Sequence, residues 1–242
     1  MLYLLKKTDF PDDINGHPLA GQSKFYQHIE IERLIRKFDY PGITVADIGS
    51  QRNFKPLLSF EKARCHCIID PYTGAGGNGL SEIPNLPYPI VLFRCLVGGD
   101  STIIPSNFFD VIISVSVIEH IGQEETSYDC KPLVTPDPLQ DKMRDDFCTE
   151  TFRILKPGGI TIHTIDHAAR NLSFADNFSK ADFEMFDRKA KVPSVEDCLT
   201  DPDAVRQSVD WRNPDMPMQL EHLPLHAVLV GLWKKPTRTG KQ

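Results

Sequence analysis

What this sequence has little of narrows its function first. No block of lysine and arginine interrupts the chain, and its formal charge is −6, from 27 basic and 33 acidic residues. A nucleic-acid footprint normally shows as a basic patch or stripe, so no nucleic-acid partner is expected. The one basic stretch, "WKKPTRTGKQ" at 233–242, reads as a solvated terminus. No apolar run is long enough for a membrane span, and the opening "MLYLLKKTDF" is too short for a signal-peptide core. No membrane partner is expected either. Paired C-x-x-C units are missing. The six cysteines, Cys65, Cys67, Cys95, Cys130, Cys148 and Cys198, read as small hydrophobes in a reduced, cytoplasmic protein. There is no internal repeat and no low-complexity tract. Glycine is scarce at one telling place: after Gly49 none appears until Gly74.

What is present alternates between two periods. Apolar residues Phe25, Ile29, Ile31, Leu34, Ile35 and Phe38 recur at helical spacing. "ITVADI", "RCHCIID", a segment within Ile90 to Val97, "FFDVIISVSVI", "ITIHTI" and "HAVLVGLW" read as buried strands. "FKPLLSF" and "DKMRDDFCTETFRILKPGG" read as helices. In the second, acids near the start and Arg153 and Lys156 near the end suit the helix dipole, and Pro157 to Gly159 end it. Strands alternating with helices predict one doubly wound α/β domain over 1–242, its sheet mostly parallel, seven-stranded and closed by an antiparallel last strand. Residues 1–22 look irregular, and 1–40 is expected to be an N-terminal helical extension. Residues 123–141 read as an insertion, and 167–225 as a cap over the substrate.

Ligands of open α/β sheets bind beyond the carboxyl ends of the strands. Five chemically useful positions fall there: Asp47 to Gly49, Asp70, Asp100, Glu119 with His120, and His163 to His167. Asp70 lies where a carboxylate can take ribose hydroxyls, and Asp100 where one can accept from an adenine amino group. "DPY" also opens turns. A dinucleotide needs bare backbone close to its pyrophosphate. The glycine-poor loop, with Gln51 and Asn53, disfavours NAD or FAD and admits S-adenosylmethionine, which has no phosphate. "GAGGNG" at 74–79 lacks the G-K-[ST] ending of a phosphate loop and reads as a plain loop.

The run "VADIGS…IIDPY…GGDSTIIPSNFFDVIISVSVIEHIG…FRILKPGGITIHTID" resembles the class I S-adenosylmethionine-dependent methyltransferases over most of 43–166. More loosely, it is similar to those of glycan and secondary-metabolite pathways. Gln51 and Asn53 depart from the family's second and third glycines. The resemblance implies a Rossmann-like fold and a cofactor held by Asp47, Gly49, Ser50, Asp70, Pro71 and Asp100, with backbone at Ser114 to Ser116 flanking it. It also implies a small-molecule or glycan acceptor, methylated at oxygen. His120, His163 and His167 are the candidates for taking the acceptor's proton. Glu119, His120, His163, Asp166 and His167 also compose a mixed N/O set that suits a divalent ion, but such a cluster more often reflects hydrogen bonding to substrate or an ordinary polar surface, and no metal is assigned. Two alternatives stay open: an NAD-dependent sugar-modifying enzyme, and an inactive cofactor-binding relative.

Overall fold

A computed structural model describes residues 1–16, 22–49, 54–73, 89–121, 138–166, 168–187, 191–206, 209–210, 213–217 and 227–237. In chain order its elements are β1 (Leu2–Leu4), α1 (Asp12–Asn15), α2 (Ser23–Ile35), β2 (Thr44–Ile48), α3 (Lys55–Leu58), β3 (Cys65–Ile69), β4 (Val91–Phe93) and β5 (Phe109–Val115). Then follow α4 (Pro138–Ile154), β6 (Leu155–Ile165), α5 (Ala168–Asn171), α6 (Phe174–Lys180), β7 (Glu184–Met185), α7 (Val195–Thr200), β8 (Val209–Asp210), β9 (Asn213–Pro217) and β10 (Leu229–Lys234).

Seven strands form one path, β1-β10-β6-β5-β2-β3-β4, with β7 paired to β10 as an eighth. The pairs β2–β3, β2–β5, β3–β4 and β5–β6 are parallel, whereas β10 runs antiparallel to β6 and to β1. From the centre the chain winds outward through β2, β3 and β4, crosses back, and winds the other way through β5 and β6. The reversal between β2 and β5 is a topological switch point.

The strands alternate as a sheet buried on both faces requires. Val45, Ile68, Val111, Ile113, Ile160 and Ile162 face α2 and α3, where Tyr26, Ile31, Leu34, Ile35 and Leu57 complete one core. Ala46, Ile48, Cys67, Ile69 and Ile112 face the other way, toward Phe147 and Cys148 of α4 and Phe174 and Phe178 of α6. Gly231 on β10 makes room for the Trp233 ring: a Cβ there would lie 2.1 Å from the indole. That ring stacks on Phe178 with centroids 3.9 Å apart.

Two expectations change. Residues 1–22 are not all irregular, and 1–40 is not only helical: Leu2–Leu4 supplies an edge strand of the sheet. Leu2 and Leu4 are buried, and the Tyr3 hydroxyl donates to Glu30 on α2. Three alternating residues beside Pro11 and Gly16 carry too little periodicity to announce a strand; pairing with β10 forms it. The 167–225 region supplies α5, α6, α7, β7 and the β8–β9 pair.

Candidate functional site

The switch point is tightly closed. Gly49 ends β2 with φ at +69°, and a Cβ on it would lie 2.7 Å from Cγ2 and 2.9 Å from Cγ1 of Val117, just past β5. Its N–H donates to the Ile69 carbonyl at 3.0 Å. Glycine is required twice here, by the left-handed backbone and by the approach of Val117. The ends of β2, β3 and β5 are thereby fixed against one another.

Asp47 and Asp70 follow the alternation of Val45 and Ile68, so both lie on the α2/α3 side of the sheet. Both are buried, at 2% and 8% exposure. Burial raises the Asp70 carboxyl above its usual range, against the lowering effect of the hydrogen bond from the Tyr72 N–H. That bond is 2.6 Å to Oδ1 and closes a turn over half-buried Pro71. Tyr72 sits at φ +50° with its ring buried. Asp100 is exposed, and its Oδ1 accepts from the Leu96 N–H at 2.6 Å. Its neighbour Ser101 donates to Glu150 on α4 at 2.5 Å. The carboxylate expected at the adenine edge therefore closes a turn that packs on α4.

At the ends of β5 and β6 the polar residues sort into two groups. Ser114 and His163 are fully buried. The Ser114 Oγ lies 2.7 Å from Nδ1 of His163, and Thr161 Oγ1 lies 2.5 Å from Nε2. Phe147, Phe178 and Trp233 pack around the ring. Burial lowers the His163 pKa from 6.5 to about 3. The structure thus corrects the expectation that His163 takes a substrate proton: it is a neutral core histidine with both nitrogens engaged. Ser114 offers a ligand only its backbone.

The second group opens toward the strand ends. Asp166 accepts from Gln27 Nε2 at 2.6 Å and from Ser116 Oγ at 2.7 Å, and the Ser116 hydroxyl also lies 2.6 Å from Gln27 Oε1. Thr164 donates to the same Gln27 oxygen at 2.9 Å. Glu119 is fully buried, with its Oε1 3.4 Å from the Asp166 N–H and 3.9 Å from Nε2 of His120. Burial, then the Asp166 carboxylate, pushes its pKa up to about 8. The His120 side chain is 31% exposed. Of the proposed proton acceptors within the described residues, His120 alone keeps access to solvent.

Ser50, Gln51, Asn53 and His167 lie outside the described residues, as does most of the 123–141 insertion. No cluster of three or more metal-ligating side chains occurs among the described residues.

Gln27 was not legible as a site-side residue. Ser23, Gln27 and Glu30 are buried at i, i+4 and i+7 of α2, spaced as a solvated face would be. Only their partners reveal that this stripe faces the sheet. Tyr72 carried no signal beyond the "DPY" turn.

No protein-family model matches the chain, and no curated protein does. Solved structures do. N-methyltransferase NodS from Bradyrhizobium japonicum WM9, in complex with S-adenosyl-L-homocysteine, is similar at a TM-score of 0.50 and 13% identity, over 86% of this chain and 85% of that one. An S-adenosylmethionine-dependent methyltransferase from Mesorhizobium loti is similar at a TM-score of 0.45 and 10% identity, over 84% and 96%. The strand order, the antiparallel β10 beside β6 and the NodS likeness agree: this chain has the Rossmann-like fold of the class I S-adenosylmethionine-dependent methyltransferases.

Proposed function

We propose that the protein is an S-adenosylmethionine-dependent methyltransferase acting at an oxygen of a small polar acceptor, a sugar or secondary metabolite. The observation that carries this reading is the closed switch point: Gly49 turned against Val117, with Asp47 and Asp70 buried on one side of it. Two buried carboxylates suit hydroxyl and ammonium donors and repel a pyrophosphate, which favours a sulfonium nucleoside over a dinucleotide. The residues present fit the cofactor. Asp70 accepts one hydrogen bond in its turn and keeps further acceptor capacity for ribose. The cofactor supplies an electrophilic methyl group when bound. The chain's own part is to hold the nucleoside through Asp47, Gly49 and Asp70, to exclude water where Gly49 closes against Val117, and to receive the acceptor's proton at His120. A hydroxyl acceptor needs such a base, and His120 is a half-buried histidine with access to solvent just past β5.

Calorimetric titration with S-adenosylhomocysteine and with NAD tests the reading. Binding of the first and not the second is expected. Asp70→Asn should weaken S-adenosylhomocysteine by about 1–3 kcal/mol, the scale of a charged hydrogen bond. Tight NAD binding by the unaltered chain would reassign the site to an oxidoreductase.

A further inference from the structure

The Tyr72 phenol is 2% exposed, and its hydroxyl has no hydrogen-bond partner among the described residues. A buried donor without a partner carries its full desolvation penalty, which phenylalanine at the same place would avoid. The backbone adds to the cost, because φ at +50° is a strained conformation for a bulky aromatic residue. Strain and an unsatisfied hydroxyl coincide at one residue, at the carboxyl end of β3, where open α/β sheets bind their ligands.

The neighbours say what kind of ligand fits. Tyr72 follows Asp70 by two residues, and its N–H holds Asp70 Oδ1 at 2.6 Å. Part of the Asp70 acceptor capacity is thus spent inside the turn, and a ribose presents two hydroxyls, not one. The phenol belongs to the core cluster that holds Phe54 and Leu57, on the α2/α3 side where Asp47 and Asp70 also lie. Burial first, and then the Asp70 and Asp47 carboxylates, push the phenol pKa up to about 12. The group stays neutral at physiological pH and is available as a donor.

We propose that the Tyr72 hydroxyl is a nucleoside contact, pairing with a ribose hydroxyl beside Asp70. This rests on the proposed cofactor site. The ribose is chosen over the amino-acid tail because Tyr72 shares the β3 turn with Asp70, the residue proposed to take the ribose hydroxyls.

The experiment titrates the full chain and its Tyr72→Phe variant with S-adenosylhomocysteine and with 5′-methylthioadenosine, which lacks the tail. The proposal expects Tyr72→Phe to weaken both ligands by a similar factor, about 5- to 30-fold for one hydrogen bond. It also expects the ligand-free variant to melt no lower than the unaltered protein, because the lost hydroxyl had no partner to lose. Equal affinity of variant and parent for both ligands would overturn it. A loss confined to S-adenosylhomocysteine would move the contact to the tail and overturn the ribose assignment. A markedly lower melting temperature of the ligand-free variant would reveal a structural partner and overturn it too. Failure of the unaltered chain to bind S-adenosylhomocysteine would remove the cofactor site itself, and the proposal with it. That outcome is read on the parent protein and is distinct from the others.

Discussion

Ser114 on β5 and His163 on β6 are joined across the parallel pair by a 2.7 Å contact between Oγ and Nδ1, in register and without access to solvent. This is a core hydrogen bond in a position that, by sequence, looks like part of an active site. Burial keeps this histidine neutral, with its pKa near 3, and in the neutral ring one nitrogen donates to its hydroxyl partner while the other accepts.

The histidine therefore makes stability depend on pH. Its folded pKa lies below the unfolded value, so the unfolded chain binds more protons between about pH 3 and 6.5. Stability is full above that window and falls as pH drops through it. Between pH 7.5 and 5 this one group should cost about 2 kcal/mol. Urea unfolding at both values should show the loss in the parent protein and a smaller one in His163→Gln. An unchanged slope in the variant would place His163 in contact with water.

Glu119 should act in the opposite direction. Its pKa, raised to about 8 by burial and by Asp166, lies above the unfolded value. The protonated form is favoured in the fold, so this contribution is present below about pH 4.3 and is lost as pH rises through 8. Lys24 and Arg144 are the cations that act against the shift or feel this carboxyl, and His120 lies beside it. Glu119→Gln, with no charge to bury, should be more stable than the parent at pH 8.5 by about 1–3 kcal/mol. Equal stability there would mean that the carboxylate is already compensated.

Gly49→Ala combines a left-handed residue with a Cβ only 2.7 Å from Val117. It should destabilise the protein by about 1–3 kcal/mol and weaken S-adenosylhomocysteine binding. Adding Val117→Ala should recover part of the loss by removing the clash while leaving the backbone strain. No recovery in the double variant would show that the backbone angle alone matters.

His120→Ala tests the proposed base. With S-adenosylmethionine and an acceptor that the parent methylates, turnover should fall by about 100-fold or more, while S-adenosylhomocysteine affinity and melting temperature stay close to the parent's. Turnover at the parent rate in a folded variant would remove His120 from the reaction.

The order of β2, β3, β5 and β6, the helix before β6 and the glycine turn at Gly49 were legible in the sequence. Each rests on a local signal: β-branched runs, helical spacing, or a turn residue at a strand end. Even the shortage of glycine after Gly49 was informative, since it is a property of one loop. The roles of the polar residues were not legible. His163 and His120 look alike in sequence, but the register of β6 between β5 and β10, under Phe147, Phe178 and Trp233, buries one, and the short turn after β5 leaves the other half-buried with access to solvent. Gln27 meets Asp166 from 139 residues away, and Leu2–Leu4 becomes a strand only against β10. Periodicity reports which side of its own element a residue occupies. What waits on that side, water or another element's polar group, is fixed by contacts between distant segments, and those exist only once the sheet has been wound and its faces covered.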